Sequence, residues 1–177
     1  MSSSEGPDRT FGAERDAWLA MTDEELRRTC LEDFYRAGGP GGQKRNKTES
    51  AVRLRHPPTG LSVVATESRL REENRRRALR RLREAVAFRV RRPLGDGEVP
   101  DAVRAAAELR IPPRDPQFLP LAAAVLDLLD AREARLAEAA ASAGVSTARL
   151  VKFLQAAPAL WEAAQRLRAR HGRPPLR

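Results

Sequence analysis

Apolar and polar positions alternate over residues 50–56, with Val52 and Leu54 on one side and Arg53 and Arg55 on the other. That is the period of a half-buried strand. Pro57-Pro58-Thr59-Gly60 then reads as a turn, Pro58 pre-setting φ and Gly60 closing it, and residues 61–66 return as a second strand. Together they predict a hairpin. Ahead of it, residues 31–36 read as a further strand. Thr22 followed by Asp23-Glu24-Glu25-Leu26 is a helix start, a capping hydroxyl with acids in the first turn, and that helix is expected to end near Cys30. Residues 1–12 carry no such pattern and read as a disordered lead.

From residue 68 to about residue 91 the period becomes helical. Ala78, Leu79, Leu82, Ala85 and Val86 form one apolar stripe, and Arg75, Arg76, Arg80 and Arg83 cover the other sides. Pro and Gly punctuate residues 92–120, a connector with room for a short helix at 101–110. Beyond Leu121 the chain is Ala- and Leu-rich, and Leu121, Val125, Leu128 and Leu129 make a helix face. Residues 139–153 have the layout of a helix-turn-helix, with small Ala140 in the first helix, Gly144 at the turn, Ser146 capping the second, and Leu150 and Phe153 inward. Pro158 opens a last helix whose core candidates are Leu160, Trp161 and Leu167.

The fold class expected is therefore α+β. A small mixed domain at 13–92 contains the hairpin, a glycine-rich loop and the long basic helix. The connector at 93–120 leads to an all-α, helix-turn-helix-like module at 121–172 and a tail at 173–177.

Composition sharpens this picture. The 177 residues are 41% hydrophobic and 32% charged, with a formal net charge of +9. The charge is concentrated: residues 36–92 hold 17 Lys and Arg against 5 Asp and Glu, whereas the rest holds 16 against 19. Uniform basicity could serve solubility alone, but an excess confined to one stretch argues for a polyanion-binding face. Aromatic residues make up 5%, too few for a row of stacking rings. Cys30 is the only cysteine, so neither an intrachain disulfide nor a cysteine-built metal site can form. His56 and His171 lack ligand spacing and read as surface or turn residues. No metal or cofactor is expected. No apolar run reaches membrane-spanning length and the first residues do not resemble a signal peptide, so cytoplasmic residence and no membrane partner are expected.

The chemistry lies in Arg36-Ala-Gly-Gly-Pro-Gly-Gly-Gln-Lys-Arg-Asn-Lys-Thr-Glu-Ser50. Four glycines around a proline remove side chains over a whole turn and let the backbone approach a crowded surface. A phosphate-binding P-loop would end in Gly-Lys-Ser/Thr and open a helix; here that ending is absent and a strand follows. A dinucleotide fingerprint fails on the same ground. No Ser-His-Asp set or conspicuous acid pair is present. Gln43 cannot titrate, so it is no general base. If this loop supports hydrolysis, it does so by positioning water and stabilising oxyanion charge, with the remaining groups supplied by a partner. That points to a ribonucleoprotein.

Gly41-Gly42-Gln43, then Asn46-Lys-Thr-Glu-Ser-Ala-Val-Arg-Leu54, then Pro58-Thr-Gly60, then Asn74-Arg-Arg-Arg-Ala-Leu79 resemble the catalytic domain of class I peptide chain release factors and their ribosome-rescue relatives. The resemblance runs from about residue 22 to residue 88. It implies that Gly41, Gly42 and Gln43 form a catalytic tip that enters the peptidyl-transferase centre and promotes hydrolysis of peptidyl-tRNA. The Gln43 N–H would stabilise the transition state, and its side chain would admit water and exclude larger nucleophiles. It further implies that a methyltransferase N-methylates Gln43. Arg36, Asn46 and Lys47 match positions that brace the loop or touch ribosomal RNA. Lys44 and Arg45, Arg53 and Arg55 on the hairpin, and Arg75, Arg76 and Arg80 on the helix complete the candidate RNA contacts. Gly38 stands where the family often has Ser, and Lys44-Arg45 where His-Val or a similar pair is usual.

Forty residues precede Gly41, too few for the stop-codon-reading domain of full-length release factors, and the downstream part lacks that domain's strand-rich pattern. The expectation is thus a codon-independent, ribosome-dependent peptidyl-tRNA hydrolase. It would act as a monomer on large-subunit rRNA and P-site peptidyl-tRNA. Two alternatives stay open: a catalytically inactive ribosome- or RNA-binding protein, and a DNA-binding regulator built on the C-terminal helices.

Overall fold

The computed structural model describes residues 11–35 and 50–176. In chain order the elements are α1 (Ala13–Ala20), α2 (Asp23–Arg28), β1 (Leu31–Tyr35), β2 (Ala51–His56), β3 (Leu61–Ala65), α3 (Arg71–Arg89), α4 (Asp101–Ala105), a 3-10 turn (Ala107–Leu109), α5 (Phe118–Ala131), α6 (Leu136–Ser142), α7 (Thr147–Leu154) and α8 (Pro158–Arg170). The architecture is α+β, with an antiparallel three-stranded sheet in the order β1-β2-β3 and a long basic helix, as the sequence pattern predicts. The described chain divides into two compact units, one of residues 20–35 and 50–86, the other of residues 11–19 and 87–176.

The first unit begins with the expected cap. The Thr22 hydroxyl accepts from the Glu25 N–H at 3.3 Å, and the Glu25 carboxylate accepts from the Thr22 N–H at 2.7 Å, so two helix-end donors are satisfied reciprocally. The hairpin turn needs Gly60 at φ 69, and its N–H donates to the His56 carbonyl at 2.8 Å. In the sheet Leu54 pairs with Glu32 and Val63, and Arg53 with Asp33 and Val64. Val52, Leu54, His56 and Ala65 lie on the buried face, and Arg53 and Arg55 on the exposed one. Ala78, Leu79, Leu82 and Val86 of α3 join Leu26 among the buried residues, while Ala85 is half-buried. β3 is an edge strand; the Arg81 guanidinium donates to its Val64 carbonyl and bonds Glu67, which covers part of that edge.

His56 departs from the surface position expected of it. It is fully buried, with Nδ1 2.8 Å from the Thr59 Oγ1. The parity of β2 puts position 56 on the same face as Val52 and Leu54, and Thr59 supplies the partner that makes burying an imidazole tolerable.

The second unit is built around α5, in which Phe118 and all of residues 121–129 are buried. Phe118 meets Phe153 of α7 at a ring separation of 5.6 Å, and Phe11 meets Trp18 edge-on at 5.2 Å. Leu150, Leu160 and Leu167 are buried as expected, and Trp161 is half-buried. The Ser146 side chain caps α7 by accepting from the Arg149 N–H at 3.2 Å, and Gly144 at φ 68 makes the preceding turn. Asp127, on the buried face of α5, forms ion pairs with Arg15 (2.7 Å) and Arg91 (3.0 Å) and accepts from the Arg92 N–H. This acid ties Arg15 of α1 to α5.

Two tight turns in this unit place non-glycine residues at positive φ: Glu108 and Leu109 (53 and 52), and Glu133 and Ala134 (48 and 55). Such backbone costs about 1 kcal/mol or more per residue and persists only where surroundings hold it. Arginines do so here. Arg149 donates to the carbonyls of Glu108 and Leu109, and buried Arg168 to that of Ala134 at 2.7 Å, while Arg173 donates to that of Glu133 at 3.2 Å.

Candidate functional site

Tyr35, the last residue of β1, pairs directly with Ala51, the first of β2. Residues 36–49, the excursion of the chain from β1 to β2, therefore connect two adjacent antiparallel strands. Gly41, Gly42, Gln43, Arg36, Lys44, Arg45, Asn46 and Lys47 lie in that excursion, outside the described residues. What the described residues show is its two roots and the helix that holds them.

Both roots meet the first turns of α3. On the outgoing side the Phe34 ring lies beneath two guanidiniums, Arg71 at 4.4 Å and Arg75 at 5.6 Å from its centroid. Arg75 also donates to Glu32 at 2.7 Å and bonds Glu72. The Glu32 hydrogen bond raises the Arg75 pKa above its already high value, so the charge is fixed. On the returning side Asn74, with no exposed surface, donates from Nδ2 to the Ser50 carbonyl at 2.7 Å. The α3 stripe thus reaches beyond its apolar members to a polar one.

The other candidate RNA contacts separate into two groups. Arg53 and Arg55 stand on the exposed sheet face, Arg53 over the Tyr35 ring at 5.1 Å and Arg55 3.5 Å from Asp33. Arg76 is two-thirds exposed, with Glu72 as a distant partner at 3.8 Å, and Arg80, one turn on, is exposed and makes no ion pair with a described residue. Arg77 is likewise free of acids among the described residues, which sequence reasoning missed. Arg75 is spoken for by its internal partners. So is Arg83, which bonds Asp23 at 3.0 Å. Arg76, Arg77 and Arg80 leave a cationic helix face with little local compensation.

The helix-turn-helix-like pair offers less. Arg149, one of two cations on α7, donates to backbone carbonyls as described, which leaves Lys152 as the exposed cation of that helix. Among the described residues no three His, Cys, Asp or Glu side chains gather as a metal site requires, and no helix is long and apolar enough to cross a membrane.

Comparison with known proteins bears on the sheet, the excursion and α3 together. Residues 20–96 match the RF-1 domain. Over that span the chain is release-factor-like. The chain is 58% identical over 70 residues to peptide chain release factor 1 of Symbiobacterium thermophilum, covering 39% of this chain and 20% of that one. It is 53% identical over 60 residues to the same factor of Caldicellulosiruptor bescii, covering 33% and 17%. An uncharacterized mitochondrial peptide chain release factor-like protein of Saccharomyces cerevisiae is 48% identical over 64 residues, 36% of this chain and 41% of that one. The chain thus matches about a fifth or less of the length of the bacterial relatives and about two-fifths of the yeast one. No solved structure matches it.

Proposed function

We propose that this release-factor-like chain promotes codon-independent hydrolysis of the peptidyl-tRNA ester on the ribosome, as a rescue factor rather than a reader of stop codons. The observation that carries the reading is the RF-1 domain match over a stretch containing an intact Gly41-Gly42-Gln43.

The chemistry requires little from the chain. Water adds to the ester carbonyl carbon, the bond from that carbon to the ribose 3′ oxygen breaks, and a proton passes to the departing oxygen. Gln43 has no acid–base capacity, so its role is to orient water and to stabilise charge on the reacting oxygens through N–H donors. The large-subunit rRNA and the P-site tRNA complete the site, and neither metal nor cofactor is needed from the protein. Arg36, Lys44, Arg45, Asn46 and Lys47 contact RNA beside the tip, and Arg53, Arg55, Arg76 and Arg80 extend that contact over the sheet and helix. Gln43 is the substrate of a glutamine methyltransferase, and the factor acts as a monomer. We assign it to the cytoplasm; the mitochondrial designation of the yeast relative makes organelle ribosomes the other setting.

Peptide release from stalled ribosomes tests the proposal. Gln43→Ala and Gly42→Ala are each expected to lower the release rate by about a hundredfold while ribosome binding is retained. Release that survives both changes excludes the mechanism. Binding without release by the unsubstituted protein would instead establish the catalytically inactive reading.

A further inference from the structure

Asn74 is a fully buried polar side chain on the apolar stripe of α3, in line with Ala78 and Leu82 at helical spacing. Its amide is completely used. Nδ2 donates to the carbonyls of Ser50 (2.7 Å) and Ser68 (2.8 Å), and Oδ1 accepts from the Ser68 N–H at 2.9 Å. Two acceptors and one donor of the main chain converge on one point, and a primary amide is the side-chain group that answers all three at this length. Ser68 belongs to the turn that leads from β3 into α3. Ser50 is the residue through which the chain re-enters the sheet, directly before Ala51. Three positions earlier and one later on α3, Arg71 and Arg75 hold Phe34 on the strand that leaves the sheet.

A helix whose purpose was to close the core would place an aliphatic residue at this position. The buried amide costs desolvation and side-chain freedom, and in exchange it fixes the main-chain carbonyl of Ser50, directly before the first residue of β2. We infer that Asn74 is a positioning residue for ester hydrolysis, acting by fixing the returning root of the excursion that carries Gln43. Arg71, Arg75 and Phe34 fix its outgoing root. The inference rests on the reading that Gln43 is the catalytic tip. It adds that the reach and aim of the tip are set from α3, through Ser50, rather than by the excursion alone. A displacement of the order of 1 Å at a reacting group is enough to lower a rate by about a hundredfold without loss of binding.

Asn74→Asp gives the sharpest test, because it is isosteric and reverses the hydrogen-bond roles. As a carboxylate it sets oxygen against the Ser50 and Ser68 carbonyls; protonated, it regains one donor. The measurement is release rate against factor concentration on stalled ribosomes, from about pH 8 to about pH 6, with the unsubstituted protein alongside. The maximal rate is expected to fall about tenfold to a hundredfold, with the half-saturating concentration changed less than about twofold, and the deficit relative to the unsubstituted protein is expected to shrink as the pH falls. An unchanged maximal rate overturns the inference, as does a parallel loss of binding and release. If Asn74→Asp does not fold, Asn74→Ser, whose hydroxyl is too short to span both carbonyls, is expected to show the same division between rate and half-saturation, and wild-type release by it overturns the inference. Gln43→Ala on the same ribosomes separates the two proposals. Release by that variant sinks the catalytic reading itself. Its silence, with full release by the Asn74 variants, sinks only the role given to Asn74.

Discussion

His56 closes β2 with its ring fully buried and Nδ1 against the Thr59 hydroxyl, which in turn accepts from the Leu61 N–H. Burial lowers its pKa below the ordinary 6.5 because the charged ring would lose water and gain little. The sign follows. Above about pH 6.5 the ring is neutral whether the chain is folded or not, and its contribution is fully present. As the pH falls below that value the unfolded chain takes up a proton that the folded chain resists, so stability drops toward the folded-state pKa. Urea midpoints measured between about pH 7.5 and about pH 5.5 should therefore fall more steeply for the protein than for His56→Gln, by at most about 1.4 kcal/mol per pH unit. Parallel curves would show that the histidine titrates freely. His56, Asn74 and Asp127 share one reason for escaping the sequence reading. Each is a polar residue on a face that periodicity marks as buried, and a pattern read from apolar residues counts it as a gap. The signal was positional: 56 has the parity of 52 and 54, and 74 stands four before Ala78. What the sequence lacked was the partner, since Thr59, Ser50 and Arg15 are found only by folding.

At the level of elements, α3 shows what could and could not be read from the chain. Its existence, its stripe and the hairpin before it follow from periods of 3.6 and 2 and from the Pro-Thr-Gly turn, all local. Which of its arginines are available does not. Arg75, Arg81 and Arg83 are engaged by Glu32, Glu67 and Asp23, none of them within a helical turn of its partner in sequence. Burial pushes the Glu67 carboxyl up, but the Arg81 guanidinium and the main-chain hydrogen bonds of Thr66 and Glu67 together more than offset it and hold the group below its ordinary range. Arg76 and Arg80 remain for a polyanion. Arg76→Glu with Arg80→Glu should leave stability within about 0.5 kcal/mol while weakening ribosome affinity and flattening its dependence on salt, since each phosphate contact adds close to one unit to the logarithmic slope. Arg75→Ala should do the reverse in first order, lowering the unfolding midpoint through Glu32 and Phe34. If the Arg76/Arg80 pair left the salt slope unchanged, that helix face would not be an RNA contact. The short helices α6 and α7 were legible from Gly144 and Ser146. The turns at Glu108–Leu109 and Glu133–Ala134 were not, because no glycine marks them and the arginines that hold them come from about 35 to 40 residues further along.

Across the whole molecule the arginines serve two ends. In the first unit a set of them, Arg76 and Arg80 on α3 above all, faces outward. In the second they are turned onto the protein's own carbonyls and acids: Arg149, Arg168 and Arg173 on strained turns, Arg15 and Arg91 on Asp127. That is why a helix-turn-helix layout coexists with so little exposed charge on α7, and why the basic excess of the chain does not by itself make every unit a nucleic-acid binder. The Asp127 cluster puts a number on the second use. Asp127 has no exposed side-chain surface, and Arg15 and Arg91 are 1% and 4% exposed. Two buried guanidiniums share this carboxylate; removing its charge leaves Arg91 without an acid partner and Arg15 with only the half-exposed Asp16, a loss of about 3–5 kcal/mol for a buried ion pair broken on one side. Asp127→Asn preserves shape and some hydrogen bonding, which makes the charge the variable. Its unfolding midpoint should fall accordingly. Arg15→Met combined with Asp127→Leu should recover part of the loss if desolvation rather than attraction dominates, since Arg91 keeps its bonds to the carbonyls of Ala87 and Ala123. A loss under about 1 kcal/mol for Asp127→Asn would mean that those carbonyls hold Arg91, and the Val90 carbonyl and Asp16 hold Arg15, without need of the carboxylate.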